Sequence, residues 1–388
     1  CRRTLRRTKA ECMDVLNLPH KQEQVLFCHL TPEQYQVYVE FLQTDQVRRS
    51  MKSEPGQDKR KLGAAFFSIT VLRKLCNHPD LLLKDADEDA KPDDMWNPER
   101  SGKMKVLAEI MKKWKSEGQR ALVFVQTVSM LDVLEAWMRS MDYTFLRIDG
   151  KTAVKKRLTM IEEFNGNVDL FAMILTTRVG GVGLNIIGAN RVVIFDPDWN
   201  PTTDVQARER TWRIGQRRDV TVYRLVLSGT VEEKIYQRQV YKHFLAQKIL
   251  NDPRQRQFFK WNDLADLFEI PPMPPGFSAK DMAALRHKYK NLFRKLRNDD
   301  EDGVETAAVM KAISDLPTKA ENKETKDSKA ENSAILQTLF DANGIKASFN
   351  HDKVEQPLLD RKIVREGATM IASRAVAALQ RSAKERAG

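Results

Sequence analysis

Between Gln119 and Leu227 the apolar residues fall into short runs near Ala121–Val125, Thr144–Ile148, Met173–Leu175, Val192–Phe195 and Thr221–Leu225, with helically spaced stretches between them. Continuous runs of this length mark strands buried on both faces, and their alternation with helices predicts an α/β fold with a parallel sheet covered on both sides. Val128, Leu131, Leu134, Trp137, Met138 and Met141 recur at helical spacing and are expected in the core. Thr230 opens a long helix with Glu232 and Glu233 in its first turn, where the helix dipole favours acidic groups. Residues 1 to about 100 read as amphipathic helices interrupted by a loop rich in Lys, Asp and Pro, around Lys84 to Pro98.

The pattern changes after Ile270. PPMPPG at Pro271–Gly276 interrupts regular structure, because consecutive prolines fix φ and remove donors. Asn298 to Ser333 is dominated by Asp, Glu, Lys, Ala and Thr, so it is expected to be a flexible linker unable to bury enough surface to offset its ordering entropy. Apolar positions return at Leu336, Leu339 and Phe340, followed by Gly344, and Ile363 to Leu379 can form an amphipathic helix. Two readings of this tail stay open: a small helical module docking to a partner, or a weakly ordered tail.

Candidate chemistry sits at strand ends. Val192–Phe195 is stopped by Asp196-Pro197, and ligands in open parallel sheets bind outside the carboxyl ends of strands. Asp196, Trp199 and Gln206–Gln216 therefore fall where a ligand is held. Upstream, Arg178-Val-Gly-Gly-Val-Gly-Leu follows Met173–Leu175, and its glycines allow close approach of backbone to phosphate or to a neighbouring lobe.

Composition narrows the class. The 388 residues, 41% of them hydrophobic, suffice for two or three folding units with a real core in at least one. A net charge of +12 and a pI near 9.4 suit a polyanionic partner and favour DNA. Cys1, Cys12, Cys28 and Cys76 have no C-x-x-C spacing, so reduced thiols are expected and a metal site is not. No stretch is long and apolar enough to span a bilayer, and the Arg-rich start has no apolar signal core, which points to a nuclear or cytosolic address.

Six segments in order carry a family resemblance: SGKMKVL at Ser101–Leu107, ALVFVQT at Ala121–Thr127, RIDGKT at Arg147–Thr152, LTTRVGGVGLN from Leu175, DPDWNP from Asp196 and QARERTWRIGQ from Gln206. They resemble the Snf2 branch of superfamily 2 ATPases, with ALVFVQT similar to motif IV, LTTRVGGVGLN to motif V and QARERTWRIGQ to motif VI. Leu5–Gln34 and Val71–Leu82 resemble the Snf2 linker and the helical entry to the second lobe. Val220–Phe268, Ile335–Asp352 and Arg365–Ser382 are similar to the Cockayne syndrome group B subfamily. The resemblance implies a RecA-like lobe at 101–229, preceded by a linker and helical entry module at 1–100. After the lobe it implies a brace helix and extension at 230–270, a Pro-bounded linker at 271–333 and a tail module at 334–388.

By the same resemblance, this is the second motor lobe of a DNA-dependent ATPase that steps along duplex DNA in transcription-coupled repair in the nucleus. The expected partners are double-stranded DNA, the first RecA-like lobe, RNA polymerase II and repair factors. A nucleosome remodeller and a non-catalytic scaffold are the alternatives. The G-x-x-x-x-G-K-[ST] phosphate loop and an acidic strand-end motif are not found: Gly150-Lys151-Thr152 lacks a preceding glycine turn, and Asp87-Glu88-Asp89 follows no apolar strand. ATP and magnesium are therefore expected mainly on a first lobe, and the chain, which opens at Cys1, is expected to begin after it and to be inactive alone.

Arg210 and Arg213 are the expected phosphate-charge stabilisers, their spacing of three placing both on one helix face, with Gln206 a turn earlier sensing the same cleft. Surface ion pairing with Glu209 is the competing role for these arginines. Gly181 and Gly183 are expected near the nucleotide. Gln126, Thr127, Thr177 and Arg178 are the expected phosphate-binding groups on DNA, whereas Trp199 is read equally as a DNA coupler or as packing. Lys151 and Lys155 read as a solvated basic face.

Overall fold

Seven strands form one sheet in the computed structural model, which describes residues 18–44, 47, 59–82, 95–180, 184–240, 268, 270–271 and 345–350. The strands are β1 Lys21–Cys28, β2 Ala121–Val125, β3 Phe145–Ile148, β4 Ala172–Thr176, β5 Arg191–Ile194, β6 Val220–Leu227 and β7 Ile345–Asn350. Their order is β3-β4-β2-β5-β6-β1-β7; all neighbours are parallel except β7, which runs antiparallel to β1.

The helices are α1 Pro32–Leu42, α2 Lys59–Asn77, α3 Gly102–Ser116, α4 Val128–Ser140, α5 Val154–Gly166, α6 Thr177–Gly180 and α7 Pro201–Arg208, and a further helix covers residues 231–240. Alternate residues of the central strands enter two separate cores. Val123, Val125, Ile174, Val193 and Tyr223 pack with α1, α3 and α4 on one face, and Leu122, Phe124, Met173, Leu175 and Val192 pack with α5 and α7 on the other. Each fully buried aliphatic or aromatic side chain contributes about 1.5–3 kcal/mol against conformational entropy, so the unbroken apolar runs are where the lobe's stability resides.

The five strands expected between 119 and 227 are all present within a residue or two. On α4, Leu131, Leu134, Trp137 and Met138 are buried, but Val128 and Met141 at its two ends are exposed. The reading of residues 1–100 as helices and loop missed β1. Its sequence KQEQVLFC places Glu23 and Gln24 inside a buried strand, which defeats an apolar-run criterion. The helical reading of the tail is likewise corrected at 345–350, where IKASFN joins the sheet as β7. The rest of the tail, the proposed linker and the helix beyond residue 240 lie outside the described residues.

The segment preceding α3 shows why its residue types are required. Ser101 caps the helix by accepting from the Met104 N–H, and its hydroxyl donates to the Asn77 carbonyl at 2.6 Å. A Cβ at Gly102 would stand 1.8 Å from the His29 carbonyl oxygen, so only glycine fits. The next residue, Lys103, is fully buried.

Candidate functional site at the carboxyl edge of the sheet

The chain leaves β2 toward β3 on one side of the sheet and leaves β5 toward β6 on the other, so the carboxyl ends of the adjacent β2 and β5 bound a topological switch point. Asp196 sits there, 2% exposed. Its Oδ1 accepts from the Gln126 backbone N–H at 2.9 Å and its Oδ2 from Asn77 Nδ2 at 3.2 Å. Arg73 stands 3.9 Å from Oδ2 and donates to the Pro197 carbonyl at 2.9 Å. A carboxylate taken out of water needs such partners.

Gln126 Nε2 donates to Thr177 Oγ1 at 3.3 Å, and the Thr177 hydroxyl donates to the Val125 carbonyl at 3.2 Å. Two of the residues expected to meet DNA are thus brought together, with Thr177 buried and Gln126 partly open. Thr127 is committed to capping α4, accepting from the Met130 N–H at 3.3 Å. Arg178 is exposed on α6, and Lys151, just before α5, and Lys155, in its first turn, are exposed as well. Trp199 is partly buried against the core shared with α1, α3 and α4.

The segment Gln206–Gln216 is only partly helical. Asn200 caps α7 through Oδ1, which accepts from the Thr202 N–H at 3.1 Å, and the helix ends at Arg208. Arg210 and Arg213 lie in the turns that follow, so the expectation that they share a helix face is corrected: Gly215, at φ +102°, and the clamp made by Gln216 replace another helical turn. Gln216 Nε2 donates to the carbonyls of Ala189 at 2.8 Å and Ile187 at 3.2 Å, and the Arg210 carbonyl accepts from the Ile186 N–H at 3.2 Å. Arg213 reaches the Leu184 carbonyl at 3.4 Å. The turn is thereby pinned to the end of motif V and the stretch that follows it. Burial and then the Arg213 charge lower the Arg210 pKa, so the two guanidinium groups feel each other. An anion between them relieves that repulsion. Gln206 is exposed on α7, and Gly181 and Gly183 lie outside the described residues.

Sequence reasoning missed a buried ionic network beneath this turn. Glu23 on β1 accepts from Arg208 and, at 2.9 Å, from Arg224; Arg224 also pairs with Asp204 at 2.7 Å. Gln239 adds a 2.8 Å bond to Asp204. Burial alone lowers the Arg224 pKa, but the Glu23 and Asp204 carboxylates outweigh it and hold the pKa above its ordinary value. The available signal was Arg224 itself: a cation inside VTVYRLVL requires a buried partner. Among the described residues no group of three or more His, Cys, Asp or Glu could hold a metal ion.

The fold is that of a RecA-like lobe with a mostly parallel sheet. Two family models match the chain: the helicase conserved C-terminal domain over residues 102–215 and the SNF2-related domain over residues 1–81. The chain belongs to the Snf2 family and carries its helicase C-terminal domain. It is 44% identical to the DNA excision repair protein CSB of Oryza sativa subsp. japonica over 97% of its own length and 32% of that protein's. It is 49% identical to the human DNA excision repair protein ERCC-6, over 69% of this chain and 18% of that protein. The chain therefore spans about a third or less of these curated relatives. The Sulfolobus solfataricus SWI2/SNF2 ATPase core in complex with dsDNA matches with a TM-score of 0.50 and 30% identity, over 63% of this chain and 49% of that one. Among the described residues no helix is long and apolar enough to cross a membrane.

Proposed function

We propose that this chain is the C-terminal motor half of a nuclear, DNA-dependent ATPase that translocates on duplex DNA in transcription-coupled nucleotide excision repair. The observation that carries the reading is the turn holding Arg210 and Arg213 within electrostatic reach of each other, pinned to the end of motif V and the segment after it. Transfer of the ATP γ-phosphoryl group spreads negative charge over its oxygens, and guanidinium groups fixed in advance stabilise that charge without reorganising. Arg210 and Arg213 supply this charge from across a cleft, Gln206 reports its closure, and Gly181 and Gly183 lie close to the nucleotide. ATP and magnesium are held mainly by the first RecA-like lobe.

The DNA edge consists of Gln126, Thr127, Thr177, Arg178 and Trp199. Thr177, buried with its hydroxyl given to the Val125 carbonyl, holds Gln126 at that edge, and Thr127, whose hydroxyl oxygen accepts from the Met130 N–H, keeps its hydroxyl proton to give to a phosphate. Arg178 supplies an exposed cation for phosphate. The repair setting, with RNA polymerase II and repair factors as partners, is supported by the names of the CSB and ERCC-6 relatives. The test is phosphate release with and without duplex DNA, measured on this chain alone and on the protein extended by a first lobe. DNA-stimulated turnover is expected from the extended protein only. Stimulated turnover by this chain alone, free of contaminating ATPase, contradicts the two-lobe division.

A further inference from the structure

One buried polar path runs from the start of the helix after β6 to the strand ends at the DNA edge. Glu232, in that helix's first turn, points inward: its Oε1 lies 2.5 Å from Lys103 Nζ, and its Oε2 accepts from the Leu227 N–H at 3.1 Å. Burial pushes its carboxyl pKa up, with the Lys103 ammonium opposing that rise. Lys103 Nζ also donates to Asn77 Oδ1 at 2.6 Å and to the Phe195 carbonyl at 3.1 Å, which uses all three ammonium donors. The other end of the Asn77 amide, Nδ2, donates to Asp196 at 3.2 Å, and Asp196 accepts from the Gln126 N–H at 2.9 Å. Gln126 then touches Thr177. Glu232, Lys103, Asn77 and Asp196 are each at most 2% exposed.

A buried ion pair is a poor way to gain stability. Well-packed apolar residues of similar volume are often neutral or better. What this path does offer is fixed directionality. Every group in it has a donor or acceptor role set by its neighbour, and at such burial an unmade bond is costly. A shift of the helix start therefore displaces Lys103, Asn77 and Asp196 in turn and alters how Gln126 is presented.

We propose that Lys103, Asn77 and Asp196 are positioning residues that couple the helix beginning at residue 231 to the DNA-facing ends of β2 and β4, so that the placement of that helix sets the affinity for duplex DNA. The proposal rests on the motor reading above for its DNA readout, but not for its structural one.

The test exploits the amide's two ends in the full-length protein. Asn77→Asp sets a carboxylate against Asp196, and Asp196→Asn removes one acceptor from a site facing two donors. The double variant Asn77→Asp/Asp196→Asn restores every hydrogen bond of the path with the roles exchanged, at the loss of the 3.9 Å Arg73–Asp196 ion pair: the carboxylate now at position 77 accepts from Lys103 and from the amide now at position 196, whose oxygen accepts from Gln126. A Glu232→Gln variant perturbs the far end of the path. Two quantities are read: hydrogen exchange of the peptide containing Gln126, and the duplex concentration giving half-maximal ATPase stimulation.

Each single variant, including the distant Glu232→Gln, should speed exchange at Gln126 and raise the half-maximal DNA concentration by about fivefold, the equivalent of one net hydrogen bond of about 1 kcal/mol. Turnover at saturating DNA should stay within about twofold for Asn77→Asp and Glu232→Gln, and the double variant should return both quantities to within about twofold of wild type. A double variant no better than its singles overturns the coupling, as do singles that lower the melting temperature without changing either quantity. Should the singles not fold, a folded double variant with wild-type exchange upholds the path and an unfolded one refutes it. Absence of DNA stimulation in the wild type defeats the motor reading, while the exchange measurement still decides the coupling.

Discussion

Within six residues the chain carries three arginines with two different fates. Arg208 is buried on α7 and answered by Glu23, and its partner in that network, Arg224, is buried between Glu23 and Asp204. Arg210 and Arg213 stand in turns at the surface, partly open, with Arg178 exposed on a neighbouring element. Burial, rather than residue type or spacing, thus separates the two fates. A buried cation with a carboxylate in place is committed to holding elements together, whereas one at the rim of a turn is partly reached by solvent, as Arg213 is while it donates to the Leu184 carbonyl.

That division predicts effects of different kinds. The largest concerns Arg213. In the extended protein, Arg213→Ala should lower DNA-stimulated turnover by about a thousandfold to a hundred-thousandfold, roughly 4–7 kcal/mol of barrier. Its melting temperature should stay near wild type. Next comes Glu23→Ala, which strands the buried Arg208 and takes from Arg224 one of its two carboxylates, leaving Asp204, and should cost about 3–5 kcal/mol of stability in denaturant unfolding. A loss below about 1 kcal/mol would put Glu23 among ordinary surface pairs and dissolve the contrast.

A half-exposed cluster gives an intermediate case. Arg147 pairs with Asp132 at 2.8 Å, with Asp149 at 3.1 Å and with Glu135. Burial tends to raise the carboxyls of Asp149 and Glu135, but for Asp149 the Lys151 N–H and Arg147, and for Glu135 the Arg139 and Arg147 guanidiniums, hold them below their ordinary values. A depressed folded-state pKa means fewer bound protons than in the unfolded chain. The stabilisation is therefore complete above the unfolded value, about 4, and is lost as pH falls through the folded one. Arg147→Met should cost about 1 kcal/mol at neutral pH, and its deficit should shrink on acidification below about pH 4. A deficit that stays constant with pH would locate the effect in packing.

The smallest change in stability belongs to Arg178. Arg178→Ala should leave stability within about 0.5 kcal/mol. Duplex affinity should fall about equally for all sequences, and the salt slope should drop by roughly one unit. An unaltered slope would remove Arg178 from the phosphate contacts.

How much of this was legible follows the same logic of burial. The strands β2, β4 and β5 could be read because each is essentially an apolar run, β3 and β6 because one arginine apiece interrupts a mainly apolar stretch, and Asp196 because it ends such a run. Glu23 and Gln24 hid β1, since a buried polar pair cannot be told from a surface pair until Arg208 and Arg224 are brought beside it from about 200 residues away. Lys103 was invisible for the same reason: its partners are Asn77, Phe195 and Glu232, and only the fold gathers them. The motif around Arg213 was read correctly as a segment but given too much helix, because spacing alone does not reveal that Gly215 and Gln216 close a turn.

On this reading the planar fork at Arg213, and not its charge alone, meets the developing phosphate charge. The decisive experiment is DNA-stimulated ATP turnover of Arg213→Lys in the extended protein, with melting temperature and duplex affinity taken on the same sample. A compact ammonium keeps the charge and loses the bidentate geometry. The expected outcome is a folded, DNA-binding protein whose turnover lies closer to Arg213→Ala than to wild type. Near-wild-type turnover with lysine would refute the fork's role and shift the assignment to Arg210.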